Sequence, residues 1–154
     1  MPTKQQNDEL YMGIALLYSK LSKAERKQVG ACLVTEHKVV LGGYNGTHTG
    51  GSNECEHLEN QPFPHEPKLV TKPETIHAEL NCVLKGAKEG VSCFGATIYT
   101  TLSPCVPCSA MLINAGIKRL VYGELYRDKT GVELLLNSGV QVEQFNQING
   151  DQSV

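Results

Sequence analysis

An α/β layered fold with a partly parallel sheet is what this sequence predicts, and three observations lead there. From residue 77 onward, helical periods of about 10–12 residues alternate with short β-rich runs. Two further β-rich runs, at 29–34 and 38–44, stand only three residues apart. The length of 154 residues at 40% hydrophobic content suits one globular domain, spanning 1–154, with a real core.

The elements follow in order. In "NDELYMGIALLYSKLS", Leu10, Ile14, Leu17 and Leu21 recur at helical spacing and Asn7 or Asp8 offers a cap, which predicts a surface helix with one buried stripe. "VGACLV" and "KVVLGGY", separated by Thr35, Glu36 and His37, predict a hairpin. Residues 45–75 carry no sustained period and are rich in Gly, Asn, Pro and Glu. They read as a long loop, an insert over about 47–74, and loops of that length are usually functional. Regularity returns at "HAELNCVLKGAKEG", with Leu80, Val83, Leu84 and Ala87 on one helical face and Gly90 as the stop. A strand "ATIYTT" (96–101) follows, then a helix marked by Cys108, Met111, Leu112 and Ala115, then a strand "RLVYG" (119–123). A helix near 130–137 and a strand near 140–145 close the pattern, and the polar stretch at 147–154 reads as a loose tail. There is no internal repeat and no low-complexity tract.

Composition excludes several classes of function. The 14 Lys and Arg against 16 Asp and Glu give a net charge of −2 without a long single-sign run, so no polymer of nucleic acid is expected as a partner. The local group Lys20, Lys23, Arg26 and Lys27 suits one or a few phosphates, or equally a solvated helix end. No stretch reaches the roughly 18 consecutive apolar residues of a membrane span, and "MPTKQQNDEL" has no apolar run of the signal-peptide kind. The expectation is a cytoplasmic protein without a membrane partner, whose six cysteines are core residues or ligands and not a disulfide framework.

The chemistry concentrates in two places of the same kind, each a loop or strand end opening into a helix. His77 and Glu79 start one helix; Cys105 and Cys108, in "TLSPCVPC", start another. In a sheet with parallel strands these ends converge on one edge, so the three ligand-type residues can meet there, and helix N-termini stabilise thiolates. One imidazole and two thiolates are the three protein ligands of a catalytic zinc whose fourth position is left to water. Bound zinc brings the pKa of that water to about 7. Glu79, two residues beyond His77, is placed to take the water's proton and hand it on as general acid and base. A thioredoxin-like redox pair would explain Cys105 and Cys108 but would leave His77 and Glu79 without a purpose. H-x-E followed by P-C-x-x-C is the arrangement of zinc-dependent nucleobase deaminases.

On "QVGACLV", "GYNG" (43–46), "HAELN" (77–81), "TLSPCVPC" (101–108) and "AGIKRLVY" (115–122), the chain resembles the deoxycytidylate (dCMP) deaminases of bacteriophages and bacteria, within the cytidine deaminase superfamily, from about Leu10 to Phe145. The resemblance implies a three-layer α/β/α fold with a mixed, about five-stranded sheet. It implies conversion of dCMP to dUMP and ammonia, supplying thymidylate synthesis. It also implies contacts from Asn45 to the deoxyribose and from Tyr126 to the bound nucleotide, with Arg26, or Lys27 in its place, and Arg127 as the candidates for the 5′-phosphate. Further, it implies a homohexamer activated by dCTP and inhibited by dTTP, each with Mg2+, through Gly43, Tyr44, Asn45 and Gly46. Some relatives hold a second zinc in the insert. Cys55, His57 and His65, with Glu54, Glu56, Glu59 and Glu74 as further donors, are the residues here that such a site would use. Two other readings share the zinc motif: a deaminase of tRNA or another polynucleotide, and a zinc-stabilised binding module without catalysis.

Overall fold

The computed structural model of the protein describes residues 1–146, so the expected tail at 147–154 lies outside the described residues. The chain opens with helix α1 (Lys4–Ser19) and continues through strands β1 (Gly30–Val34), β2 (Val40–Tyr44), β3 (Glu56–Glu59) and β4 (Lys68–Thr71). Helix α2 (Ala78–Glu89), β5 (Thr97–Leu102), α3 (Val106–Asn114), β6 (Arg119–Glu124), α4 (Thr130–Asn137) and β7 (Gln141–Gln144) complete it.

Five strands form one mixed sheet in the order β2-β1-β5-β6-β7. β1 runs antiparallel to both β2 and β5, while β5, β6 and β7 are parallel. Alternation along the strands divides the core. Ala31, Leu33, Ile98 and Leu120 face α2, α3 and α4, whereas Cys32, Val34, Tyr99 and Val121 face α1. This is the expected α/β/α layering.

Helix α1 corrects the sequence expectation twice. Its cap is Thr3, whose hydroxyl accepts from Gln6 N–H while Gln6 answers the Thr3 N–H, a capping box that starts the helix ahead of Asn7 and Asp8. Its buried residues are Asp8, Met12 and Ala15, while Leu10, Leu17 and Leu21 are 57%, 63% and 53% exposed. The two stripes are two residues out of phase, about 200° around the helix, although Ile14 of the expected stripe is half-buried against the same core. Asp8 decides the orientation: its carboxylate takes two hydrogen bonds from Arg119, at 2.8 and 2.7 Å, and one from the Tyr99 hydroxyl at 2.8 Å. Arg119 also reaches Glu143 at 2.9 Å, so α1, β5, β6 and β7 are tied at one buried guanidinium. The inner face of α3 is the expected one at Cys108, Leu112 and Ala115, with Met111 exposed, and α2 keeps Val83 against the core while Cys82 and Gly86 are buried in place of Leu84 and Ala87.

The insert at 45–75 contains order that its composition concealed. β3 and β4 pair as an antiparallel hairpin, with Glu56 opposite Thr71 and Glu59 opposite Lys68. The hairpin is held at its base by Lys72 N–H and the Thr75 hydroxyl, both donating to Cys55 O. An isolated bridge between Gly46 and Ile76 then returns the chain to the sheet edge, one residue before His77.

Candidate active site

The edge of the sheet formed by the C-terminal ends of β5 and β6 and by the end of β2 opens into a cleft of about 410 Å³. Two helices begin on its floor, and each begins at a ligand-type residue. His77 is the N-cap of α2 and Cys105 the N-cap of α3; both are extended and neither uses its side chain to cap. The caps are made by main chain alone, with Asn81 N–H donating to His77 O and Ser109 N–H to Cys105 O. The imidazole and the thiol are thereby left free to face each other. Pro107 falls in the first turn of α3, where its missing N–H costs nothing.

His77 Nδ1 lies 3.4 Å from Cys105 Sγ and 3.3 Å from Cys108 Sγ, and all three ligand atoms fall within 4.8 Å of one another. Two ligands of a tetrahedral zinc, bonded at about 2.0–2.3 Å, stand about 3.6 Å apart, so this donor set fits zinc in both chemistry and spacing. The hydrogen bond from Cys108, with a second from His77, holds the Cys105 thiol down to about 4. Cys108 is pushed up, by the adjacent Cys105 sulfur and by burial. The bond with Cys105 in turn raises His77.

Glu79, in the first turn of α2, is only 4% exposed and lines the same cleft. Burial pushes its carboxyl up to about 7. A carboxyl poised near neutrality, two residues from a metal ligand, is suited to accept and return a proton. Gly43 explains how α2 reaches this position: a Cβ there would stand 2.7 Å from Ala78 O, so its hydrogen lets β2 pass directly against the helix start.

Of the other residues singled out in the sequence, Asn45, Arg26, Lys27, Tyr126 and Arg127 all line the cleft. Asn45 is largely committed to the main chain: its amide oxygen accepts Val29 N–H at 2.8 Å and its nitrogen donates to Lys27 O at 2.8 Å. Lys27 pairs with Glu124 at 2.6 Å across the cleft rim. Tyr126 is positioned by its own N–H, which donates to Ser103 Oγ at 2.7 Å, and the Arg127 guanidinium sits 6.0 Å from its ring centre. Gly43, Tyr44 and Gly46 do not line the cleft; Tyr44 is partly exposed beside it and its carbonyl accepts from Asn81.

Cys55, His57 and His65 do not converge, which corrects the expectation of a second zinc site. Cys55 is buried at the hairpin base, with Asn53 O as its contact, whereas His57 and His65 are exposed. His77, Cys105 and Cys108 are the one such ligand group among the described residues. Sequence reasoning missed Ser103, Thr71, Thr75 and Glu124, all lining the cleft, and named Glu56, which also lines it, only as a donor to a second zinc. The proximity of Ser103 to Cys105 and of Thr75 to His77 was the available signal; Glu56, Thr71 and Glu124 join the cleft through pairings distant in sequence.

A mixed α/β sheet with an imidazole, two thiols and a buried carboxyl at its edge defines a hydrolytic metal site, one able to activate water and shuttle its proton. The family model for the cytidine and deoxycytidylate deaminase zinc-binding region matches residues 5–124. The deoxycytidylate deaminase of Enterobacteria phage T4 is 34% identical over 163 residues, covering 84% of this chain and 84% of the relative. The human deoxycytidylate deaminase is 37% identical over 144 residues, covering 89% of this chain and 78% of the relative. Among solved structures, the dCMP deaminase of cyanophage S-TIM5 in complex with dCMP and dUMP superposes with a TM-score of 0.81 at 35% identity, covering 94% of this chain and 100% of that one. The chain belongs to the cytidine and deoxycytidylate deaminase family. Among the described residues, no helix is long and apolar enough to cross a membrane.

Proposed function

We propose that this protein hydrolyses dCMP to dUMP and ammonia with zinc as cofactor. The observation that carries the reading is the His77, Cys105, Cys108 and Glu79 constellation in a cleft of a chain akin to deaminases named for dCMP, one of them solved with dCMP and dUMP. His77, Cys105 and Cys108 are the residues that would hold the zinc. When bound, zinc supplies Lewis acidity that makes water a nucleophile near neutral pH.

Glu79 takes one proton from the attacking water and delivers it to the ring nitrogen N3, then takes the remaining proton from the new C4 hydroxyl and delivers it to the amine, so that the C4–N bond breaks, C4=O forms and ammonia leaves. Its burial keeps bulk water from competing for that proton. Asn45 retains one amide N–H beyond its bond to Lys27 O and meets the deoxyribose. Tyr126 lies against the nucleotide, with its backbone held by Ser103. Arg26 and Arg127, at the cleft mouth, take the 5′-phosphate, for which a guanidinium fork is geometrically suited. A net charge of −2 disfavours a polynucleotide substrate.

The regulatory part of the reading rests on the family resemblance: a cytoplasmic homohexamer, activated by dCTP and inhibited by dTTP with Mg2+, through Gly43, Tyr44, Asn45 and Gly46. The test of the catalytic part is direct. Zinc-loaded protein given dCMP is expected to release dUMP and ammonia in equal amounts. Glu79→Gln is expected to keep its zinc while losing about 10²–10⁴-fold in kcat. Full activity in that variant contradicts the proton shuttle, and a wild type inert toward dCMP contradicts the substrate.

A further inference from the structure

The insert hairpin grips the loop that carries Arg26, and it does so with a single rung. Glu56 and Thr71 are directly opposed in the β3–β4 pairing. The Glu56 carboxylate accepts the N–H groups of Glu25, at 3.1 and 3.2 Å, and of Arg26, at 3.2 Å. The Thr71 hydroxyl accepts from Arg26 Nη1 at 3.1 Å. One rung therefore holds Arg26 by its main chain and by its guanidinium, at a point where Glu56, Thr71 and Arg26 all border the cleft. Residues 22–28 belong to no strand or helix; ties from Ser22 to Asn45 O, from Gln28 to Ser22 O and from Asn45 to Lys27 O flank Arg26 and leave its own N–H and guanidinium to the rung.

We infer that the Glu56–Thr71 rung is a positioning element for substrate selection: it presents the Arg26 guanidinium to the 5′-phosphate and so favours a nucleotide over a free nucleoside. The inference rests on the proposed assignment of Arg26 to the phosphate. It is not self-evident, because a carboxylate beside an anion site also repels the anion. The two effects have opposite signs in binding, so a variant series separates them.

Steady-state kinetics on dCMP and deoxycytidine decides the matter, using zinc-loaded protein with zinc content and thermal unfolding checked for every variant. Glu56→Ala is expected to raise KM for dCMP about tenfold with kcat within twofold, and to narrow the preference for dCMP over deoxycytidine by the same factor. Thr71→Val, which removes the hydroxyl at constant shape, is expected to raise KM about threefold. Glu56→Gln keeps an oxygen acceptor for both N–H groups and is expected to restore KM to within threefold of wild type. In Arg26→Ala, adding Glu56→Ala is expected to cost nothing further, since the rung then has nothing to present. A lower KM in Glu56→Ala, equal losses on both substrates, or additive losses in the double variant overturns the positioning role while leaving Arg26 as phosphate ligand. A wild type with no preference for dCMP, or Arg26→Ala retaining that preference, overturns the phosphate assignment and the rung's role with it.

Discussion

Gly131→Ala is expected to destabilise the protein, although alanine is the better helix former. Gly131 is the second residue of α4, and glycine there costs roughly 0.5–1 kcal/mol relative to alanine in helix propensity. Against that gain stands the packing of α4 on the ligand turn. A Cβ at this position would lie 2.2 Å from Pro104 O, 2.9 Å from the Cys105 carbonyl carbon and 2.9 Å from Ser109 Oγ. The first two are main-chain atoms and have no rotamer by which to yield, so α4 or the turn must shift by about 1 Å, an overpacking that costs about 1–3 kcal/mol. The net effect is about 1–2 kcal/mol of destabilisation, or roughly 2–8 °C in Tm for a chain of this length. The turn that would move carries Cys105, and a misplacement of about 1 Å at a reacting centre can cost about 10²-fold in rate. Thermal unfolding of the zinc-loaded variant, with zinc content and turnover on the same sample, measures all three effects. Gly13→Ala is the control: Gly13 is helical, has nothing within 4 Å of a built Cβ, and is expected to raise Tm. If Gly131→Ala also raises Tm and keeps full zinc and turnover, the close approach of α4 to the ligand turn is refuted.

Other outcomes follow from the same structure. Burial opposes ionisation of Asp8, but hydrogen bonds from Arg119 and Tyr99 outweigh it, and Arg119 and Lys4 likewise lower Glu143, so both titrate below their ordinary 3.8 and 4.5. Carboxylates depressed by folding contribute stability that is complete above those ordinary values and lost as pH falls through the folded ones; Asp8→Asn is therefore expected to lower Tm at neutral pH and to flatten its decline below about pH 3.8. In metal-stripped protein at neutral pH, Cys105 is expected to be alkylated ahead of Cys32 and Cys82, whose thiols burial pushes up, and zinc is expected to protect it; peptide mapping with iodoacetamide reads the order. Ser103→Ala leaves the Tyr126 N–H without its acceptor and is expected to cost about 1–3 kcal/mol, split between lower Tm and higher KM for dCMP, measured by unfolding and steady-state kinetics.

What could be read from the sequence and what could not divide along a physical line. The His77, Cys105 and Cys108 group and Glu79 were legible because their chemistry is local: His77 with Glu79, and Cys105 with Cys108, each lie within one helical turn at a helix start. The alternation of α2, β5, α3, β6, α4 and β7 was legible for the same reason. The buried face of α1 was not, because a charged residue, Asp8, defines it through Arg119, 111 residues away. Hydrophobic periodicity ranks Leu10 and Leu17 above Asp8, and the buried ion pair reverses the order. The β3–β4 hairpin escaped because "EHLE" and "KLVT" are short, the first largely exposed and the second half-buried on both faces, leaving no period-2 signal. The second zinc failed for a related reason: closeness of Cys55 and His57 in sequence did not bring their side chains into one environment, one being buried and the other exposed.

The central claim is that the cleft deaminates a deoxycytidine nucleotide. An equimolar mixture of dCMP and deoxycytidine, incubated with zinc-loaded protein and resolved by chromatography over time, tests it most directly. The account predicts that dUMP appears first and in excess over deoxyuridine, with ammonia matching the two products combined. Deoxyuridine forming ahead of dUMP, or neither product forming while zinc stays bound, would contradict it.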